Sequence, residues 1–311
     1  MTLYPAYPPV LADAEFALVR FDLDLLSPCT LALRDLLGLR LPLLAAADVL
    51  PRERRDALFA PPLSSDPAAL RRFQKPAPPL VLRDPAGLPG DYCDGDRIPL
   101  EVLFLGTGTQ SIGDFLVVLQ GLGRRGLVRG EGRFEVVAVQ GQGADGRWRR
   151  FWSGSGPATE LAPPLIPVDQ WLDRVWPHAL PAVFELVTPA RLVAGGRVLR
   201  RPRFSQLFPF LLRRVTSMLH AHCGLEPIDE PTSLCNAAAR VEAAWLECRW
   251  VDWRGDGEGG GSEAVGGCVG CLRLGGGLEE LLWVVLLATL LGVGKGAAYG
   301  AGQCRLTGGA S

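Results

Sequence analysis

The chain has 311 residues, of which 48% are hydrophobic and 21% charged, so it is long enough for two ordinary domains with buried cores. Its net charge of -1 and its pI near 6.3 exclude the uniformly basic composition of many nucleic-acid-binding domains, whose pI exceeds about 9. The longest apolar run, LLWVVLLATLL at 281–291, is about half the roughly 20 residues that span a bilayer.

The amino terminus, MTLYPAYPPVLADAEF, lacks the basic segment and apolar core of a signal peptide. We therefore expect a soluble, cytoplasmic protein without membrane contacts. In that compartment its eight cysteines should be mostly reduced thiols.

The first half of the chain is predicted to alternate between strands and helices. Apolar residues occupy every second position from Ala17 to Leu25, which is the period of a strand with one buried face. The predicted order is strand, helix, strand, strand, helix and strand, at residues 16–26, 30–59, 79–84, 98–106, 111–123 and 132–141.

The second half repeats this order after a Pro-rich connector at 156–167. A long helix is expected between Ser205, as its N-cap, and Gly224, as its stop. The predicted strands are 181–193, 238–253, 265–274 and 302–306, with a loop at 254–264 and a second helix at 278–291.

Two split βαβ units in tandem predict an α+β protein with two ferredoxin-like domains and antiparallel sheets. We assign residues 1–155 to the N-terminal domain, 156–180 to a linker and 181–311 to the C-terminal domain.

Basic residues are clustered although the net charge is near zero. Seven arginines and no acidic residue lie between Arg191 and Arg214, and seven arginines lie at 121–150 against three acidic residues. These segments indicate two basic patches, although solvated surface arginines are the alternative interpretation.

A glycine-rich segment follows the last helix, in LLGVGKGAAYGAGQCRL at 290–306. Five of the eleven residues from Gly292 to Gly302 are glycine. A Walker A loop is excluded, because Lys295 is followed by glycine and not by serine or threonine. A Rossmann fingerprint is excluded for GLGRRG at 121–126, because that motif follows a helix and precedes a strand.

The remaining interpretation is a loop that follows a phosphodiester backbone. Glycines allow close approach, Lys295 supplies charge, and Tyr299 could stack on a base. A loop that packs against the sheet is the alternative.

This segment resembles the G-rich loop of the CRISPR-associated repeat-processing endoribonucleases, which belong to the RAMP superfamily of tandem ferredoxin-like RNA-binding proteins. Other segments resemble that family in the same order along residues 75–306. They are KPAPPLVLRDP, PGDYCDGDRIPLEVLFLGTG, QGLGRRGLVRGEGRFEV, LVTPARLV, LFPFLLRRVTSMLHAHCG, CRWVDWRG and VGGCVGCLRLGGGLEELLWVV. One segment departs: the acidic tip GDGEGGGSEA stands where many relatives have a polar Arg/Ser-rich hairpin tip.

The resemblance implies metal-independent cleavage of CRISPR repeat RNA by attack of a 2'-hydroxyl, which matures precursor transcripts into guide RNA. The products are a 2',3'-cyclic or 3' phosphate and a 5'-hydroxyl. No cofactor is implied. Repeat RNA, with other CRISPR-associated proteins, is the implied partner.

Histidine suits the proton transfers of this chemistry, and the chain has only His178, His220 and His222. Many relatives have an active-site histidine in the first domain, where this chain has none. We therefore predict His222 and His220 as catalytic candidates, with Tyr299 as a further candidate. Capping of the helix end is a sufficient alternative role for both histidines.

The RNA-binding residues are predicted to be Arg213, Arg214, Gly292, Gly294, Lys295, Gly296, Gly300 and Gly302. No metal site is predicted, because CVGC at 268–271 lacks a second pair at zinc spacing, so its cysteines are expected to be structural thiols. Two rival functions stay open. One is a non-catalytic RAMP subunit that holds guide RNA, and the other is a subunit that binds only protein.

Overall fold

The computed structural model describes residues 6–63, 65, 67, 73, 75–154, 161–179, 182–252 and 266–308. The predicted loop at 254–264 and residues 156–160 of the predicted linker lie outside this part of the chain. No helix among the described residues is long and apolar enough to cross a membrane.

The first half carries one large sheet and its helices, which we call the N-terminal domain. Its strands are β1 (Glu15–Leu25), β2 (Cys29–Leu31), β3 (Leu80–Arg83), β4 (Gly90–Tyr92), β5 (Arg97–Leu105), β6 (Phe134–Gln142), β7 (Trp148–Trp152) and β8 (Ile166–Pro167). Its helices are α1 (Leu33–Leu37), α2 (Arg40–Ala46), α3 (Arg52–Phe59), α4 (Ile112–Arg125) and α5 (Val168–Val175).

The large sheet has the strand order β3-β5-β1-β6-β7, with β8 paired to β1. The neighbouring strands are antiparallel, and β1 lies between β5 and β6. The strands before and after α4 therefore flank the first strand, which is the arrangement of a split βαβ unit.

The second half carries the other sheet, and we call it the C-terminal domain. Its strands are β9 (Ala182–Ala190), β10 (Val193–Ala194), β11 (Arg197–Val198), β12 (Ala243–Asp252), β13 (Gly266–Leu274) and β14 (Cys304–Gly308). Its helices are α6 (Phe204–Cys223), α7 (Pro231–Arg240) and α8 (Leu282–Leu291). The sheet order β12-β13-β9-β14 repeats the split βαβ topology, so the predicted α+β fold with two ferredoxin-like domains is confirmed.

Two local predictions need correction. The predicted strand from residue 238 is wrong at its start, because residues 238–240 end helix α7, which begins with Pro231 at its first turn and contains an alanine run. The predicted N-cap Ser205 lies inside α6, whose N-cap is Arg203. Helix α5, in which Leu172 is fully buried, lies within residues 156–180, whose assignment as a linker stays a prediction.

Each face of β1 contributes to a different hydrophobic core. Ala17, Val19 and Phe21 pack with α4 in the core of the N-terminal domain, as the period-2 pattern predicts. Phe16, on the other face, belongs to the core shared with the C-terminal domain. The two domains therefore bury apolar surface against each other.

Residues 292–302, here called the glycine turn, belong to the C-terminal domain and pack against the N-terminal domain. Ala298 and Tyr299 belong to the core of the N-terminal domain, although the turn connects α8 to β14 of the C-terminal domain. A Cβ on Gly300 would lie 2.7 Å from Pro85 Cγ, so only glycine allows this approach. Thr188 Oγ1, in β9, donates to the Gly300 carbonyl oxygen at 2.7 Å and so holds the turn against the C-terminal sheet.

The end of α8 points at the same interface, where two arginines satisfy its last carbonyl groups. Arg83 of β3 donates to the carbonyl oxygens of Thr289 and, at 2.9 Å, Leu290. Arg214 of α6 donates to the Leu291 carbonyl oxygen from Nε and Nη2, both at 3.3 Å. Cations at a helix C-terminus interact favourably with its dipole, so the Arg83 contacts link the two domains through charge, and the Arg214 contact holds α6 against α8 within the C-terminal domain.

The end of α6 packs on the N-terminal domain through His222. Its Nε2 lies 2.8 Å from the Ala77 carbonyl oxygen, so Nε2 carries the proton and donates. Burial lowers the pKa of His222, and the Arg214 charge lowers it further against the effect of the Ala77 hydrogen bond. The ring is therefore held neutral in the folded protein.

We expect Gly302→Ala to destabilise the protein far more than Gly195→Ala. Both glycines have positive φ, 59° and 53°. A Cβ on Gly302 would lie 1.8 Å from the Val293 carbonyl oxygen, whereas nothing lies within 4 Å of one on Gly195. Urea unfolding should show a loss of about 3 kcal/mol for Gly302→Ala and about 1 kcal/mol for Gly195→Ala. Equal losses would contradict the packing of the turn.

We expect acid to destabilise the protein through His222. The unfolded histidine binds a proton below its ordinary pKa of 6.5, while the folded one resists protonation. The unfolded state then holds more protons, so the free energy of unfolding falls as the pH falls below 6.5. Urea titrations at several pH values should show this fall, and it should be smaller in His222→Gln. An identical pH dependence in both proteins would overturn the assignment.

Candidate nucleic-acid interface

A cavity of about 500 Å³ lies between the two domains beside the glycine turn. Five cationic side chains line it: Arg40, Lys75, Arg191, Arg214 and Lys295. Among the described residues that line it, none is acidic. We call it the cationic cavity.

Both domains are needed to form the cationic cavity. Arg40 begins α2 and Lys75 precedes β3, so these two come from the N-terminal domain. Arg191 directly follows β9, and Lys295 lies at the tip of the glycine turn. The backbone joins the last two, because the Lys295 N–H donates to the Arg191 carbonyl oxygen at 3.2 Å.

One of the five cations, Arg214, is buried, Arg191 is half-buried, and the other three are exposed. Arg214 is 9% exposed, and burial lowers the pKa of its guanidinium to about 10, so it stays charged at neutral pH. Like charges that share one concave site raise its positive potential, and low-dielectric walls focus that potential. The cavity therefore favours a polyanion over a neutral or cationic ligand.

The tip of the glycine turn is the part that a ligand can reach. Lys295 and Gly296 are exposed and Gly294 is half-buried, and all three line the cavity. A Cβ on Gly294 would lie 2.6 Å from the Arg191 carbonyl oxygen. Glycine at 294 therefore lets the turn pack on Arg191, and glycine at 296 leaves its exposed backbone uncovered by a side chain.

Tyr299 lines the cavity, and its hydroxyl oxygen is buried. The residue is 5% exposed, and the hydroxyl oxygen is buried without a well-formed hydrogen bond. Burial raises the pKa of Tyr299 to about 12, and the nearby Arg40 guanidinium opposes that rise. The hydroxyl is therefore protonated at neutral pH and can act as a donor.

The cavity gathers some of the predicted site residues and not others. Those that line it are Arg214, Gly294, Lys295, Gly296 and Tyr299. Those that do not are Arg213, His220, His222, Gly292, Gly300 and Gly302. Gly292, Gly300 and Gly302 are buried in the turn, and the exposed Arg213 lines a separate groove with Gln206 and Pro209.

The three histidines lie outside the cavity. The His220 ring is stacked on Phe73 with ring centroids 4.0 Å apart, and its Nδ1 lies 3.5 Å from Glu226 Oε1. His222 makes the buried domain contact described above, and His178 is exposed in a short turn. A catalytic role for His220 or His222 stays a prediction.

Sequence reasoning missed three of the five cavity cations. Arg191 begins the predicted basic segment, so the sequence indicated its charge but did not predict its place beside Lys295. Arg40 and Lys75 lie outside the two basic segments that the sequence indicated, and only the docking of the domains brings them to Lys295. Phe59 and Phe210 add apolar wall, on which a base could stack.

The cysteines were predicted to be structural thiols, and that stays a prediction. Cys268 is buried with its Sγ 3.1 Å from Cys248 Sγ, and Cys271 is half-buried on the same strand. Within the described ranges, no group of three or more His, Cys, Asp or Glu side chains is placed to hold a metal ion.

Two family models match the chain. The model of the CRISPR-associated endoribonuclease Cas6 matches residues 184–304, and a model described as an N-terminal domain matches residues 54–163. No curated protein sequence matches the chain.

Solved structures share the fold at low sequence identity. A Cas6 (TTHB231) product complex from Thermus thermophilus has a TM-score of 0.54 and 19% identity over 94% of this chain and 98% of its own. A Cas6 (TTHA0078) product complex has a TM-score of 0.52 and 19% identity over 94% and 99%.

A partial Cas6-RT-Cas1–Cas2 complex has a TM-score of 0.61 and 12% identity over 98% of this chain. This chain spans 47% of that longer chain. The predicted resemblance is confirmed: residues 184–304 carry the sequence pattern of the CRISPR-associated endoribonuclease Cas6, on the fold that solved Cas6 structures share.

Proposed function

We propose that this protein is a metal-independent endoribonuclease that cleaves CRISPR repeat RNA in precursor transcripts and so releases guide RNA. The observation that carries the proposal is the cationic cavity, whose five positive side chains come from both domains and have no acidic neighbour among the described lining residues. The Cas6 family match of the domain that holds the glycine turn supports it.

The cavity has the properties that a single RNA strand requires. Cations neutralise phosphates, and the exposed Gly296 beside the half-buried Gly294 allows a ribose-phosphate strand to come close to the backbone. Phe59 and Phe210 offer apolar surface for an unstacked base. The acidic residues elsewhere explain how a chain with a net charge of -1 can hold a local anion site.

The reaction is an in-line transesterification within the RNA. The 2'-oxygen upstream of the cut forms a bond to phosphorus, and the bond from phosphorus to the 5'-oxygen breaks. The 2'-hydroxyl loses its proton and the leaving 5'-oxygen gains one, which leaves a 2',3'-cyclic phosphate and a 5'-hydroxyl. Negative charge grows on the phosphate oxygens, and fixed cations are the groups that stabilise it.

One observation favours a second candidate, a RAMP subunit that binds guide RNA without cutting it. None of the described residues that line the cavity is a histidine, although histidine is the usual neutral-pH proton carrier. Both candidates predict salt-dependent RNA affinity, and a subunit that binds only protein predicts none. Other CRISPR-associated proteins are proposed partners in either case.

Cleavage of labelled repeat RNA in excess EDTA separates these candidates. We expect one discrete cut at an unchanged rate with and without EDTA. RNA with a single 2'-deoxy nucleotide upstream of the cut should bind with the same affinity and stay intact, because its nucleophile is missing. Binding of the all-ribose RNA without any cut would identify the non-catalytic subunit, and loss of the cut in EDTA would overturn metal independence.

A further inference from the structure

Two cysteines on neighbouring strands of the C-terminal sheet lie with their sulfur atoms in contact. Cys248 belongs to β12 and Cys268 to β13, and their Sγ atoms are 3.1 Å apart. Both are free thiols, as are the other six cysteines of the chain. A disulfide bond is about 2.05 Å long, so a movement of about 1 Å would bring the two sulfurs to bonding distance.

The pairing of the two strands explains why the sulfurs meet. Cys248 lies opposite Gly270 in the antiparallel register, and Trp250 lies opposite Cys268. The two cysteines are therefore diagonal neighbours on one face of the sheet. Because Gly270 carries no side chain, the side chain of Cys248 has no partner directly across and packs against Cys268. The contact thus follows from the register of β12 on β13.

The two thiols differ in their access to solvent. Cys248 is half-buried, and its Sγ lies 3.7 Å from the Arg200 carbonyl oxygen, whereas Cys268 is fully buried. Burial raises the pKa of Cys268, its contact with Cys248 raises that pKa further, and the charge of Arg201 opposes the rise. Cys268 therefore keeps its proton at neutral pH, and Cys248 is the sulfur that a small oxidant reaches first.

We propose that Cys248 and Cys268 form a reversible disulfide bond when hydrogen peroxide reaches the folded protein. The bond joins β12, at the edge of the C-terminal sheet, covalently to its neighbour β13. This modification site is independent of the proposed endoribonuclease function, because neither cysteine lines the cationic cavity.

The reaction takes two steps and balances with one peroxide molecule. The Cys248 thiolate attacks one peroxide oxygen, so an S–O bond forms and the O–O bond breaks. The hydroxide that leaves becomes water with the proton that the thiol released. The Cys268 sulfur then attacks the Cys248 sulfur, so an S–S bond forms, the S–O bond breaks, and the second hydroxide leaves with the Cys268 proton as water. The two sulfurs give up two electrons, and the peroxide is reduced to two molecules of water.

Mass spectrometry of the oxidised protein tests the proposal. The full chain would be treated with a small excess of hydrogen peroxide, blocked with N-ethylmaleimide and digested without reductant. We expect the peptides that hold Cys248 and Cys268 to be joined and two hydrogen atoms lighter than their sum, in protein that stays monomeric. Dithiothreitol should restore both thiols. The exposed Cys93 should stay outside this bond.

Serine variants on the same two strands give the matched comparison. In Cys268→Ser, no thiol can attack the Cys248 sulfenic acid, so dimedone should capture it. In Cys248→Ser, Cys268 should stay reduced, because its sulfur is buried. Cys271→Ser, which also lies on β13, should form the bond as completely as the wild-type protein.

The bond should also stabilise the folded protein. Cys248 and Cys268 are 20 positions apart, so the bond closes a loop and reduces the freedom of the unfolded chain. Oxidised wild-type protein should unfold about 5 °C higher than reduced protein, and Cys268→Ser should show no such rise. A lower unfolding temperature after oxidation would contradict the fit of the two sulfurs.

Three results of the peptide mapping would overturn the proposal. The first is wild-type Cys248 recovered as a thiol, a sulfenic acid or a sulfinic acid without the bond. The second is a bond from Cys248 to a different cysteine or to a second chain. The third is oxidation of Cys268 in Cys248→Ser as fast as in the wild-type protein, which would contradict the order of the two steps. The wild-type map decides the first two results even if a serine variant fails to fold.

Discussion

The cationic cavity depends on the insertion of the glycine turn into the core of the N-terminal domain. Ala298 and Tyr299 are buried among residues of that domain, and Gly300 lies against Pro85 at a distance that no other residue allows. This contact fixes the distance between Arg40, at the start of α2 in the N-terminal domain, and the glycine turn of the C-terminal domain. Without it, Arg40 and Lys295 would lie on separate surfaces.

The same interface explains why so much positive charge can be held in one place. Like charges repel, and a buried arginine without partners would be costly. Arg83 and Arg214 instead donate to the last carbonyl groups of α8, whose dipole is negative at that end. The helix end thereby stabilises these two cations at the domain boundary.

The sequence predicted the parts of the fold that follow from local pattern. The period-2 apolar residues of β1 and the left-handed Gly224 at the end of α6 lie as expected. Helix α7 was missed because the predicted strand was extended back to residue 238, over the alanine run that ends the helix. The presence of Arg40 and Tyr299 at one cavity left no trace in the sequence, because it arises from packing between residues 259 positions apart. The five predicted site residues that line the cavity all belong to segments singled out for their charge or glycines.

The central claim is that RNA lies in the cationic cavity between the two domains, and photocrosslinking tests it most directly. Repeat RNA that carries 4-thiouridine would be irradiated with the protein, and the crosslinked peptides would be identified by mass spectrometry. We predict crosslinks to the peptides that hold Phe59, Lys75 and residues 294–299. Crosslinks confined to other surfaces, such as the exposed side of α7, would contradict an RNA path through the cavity.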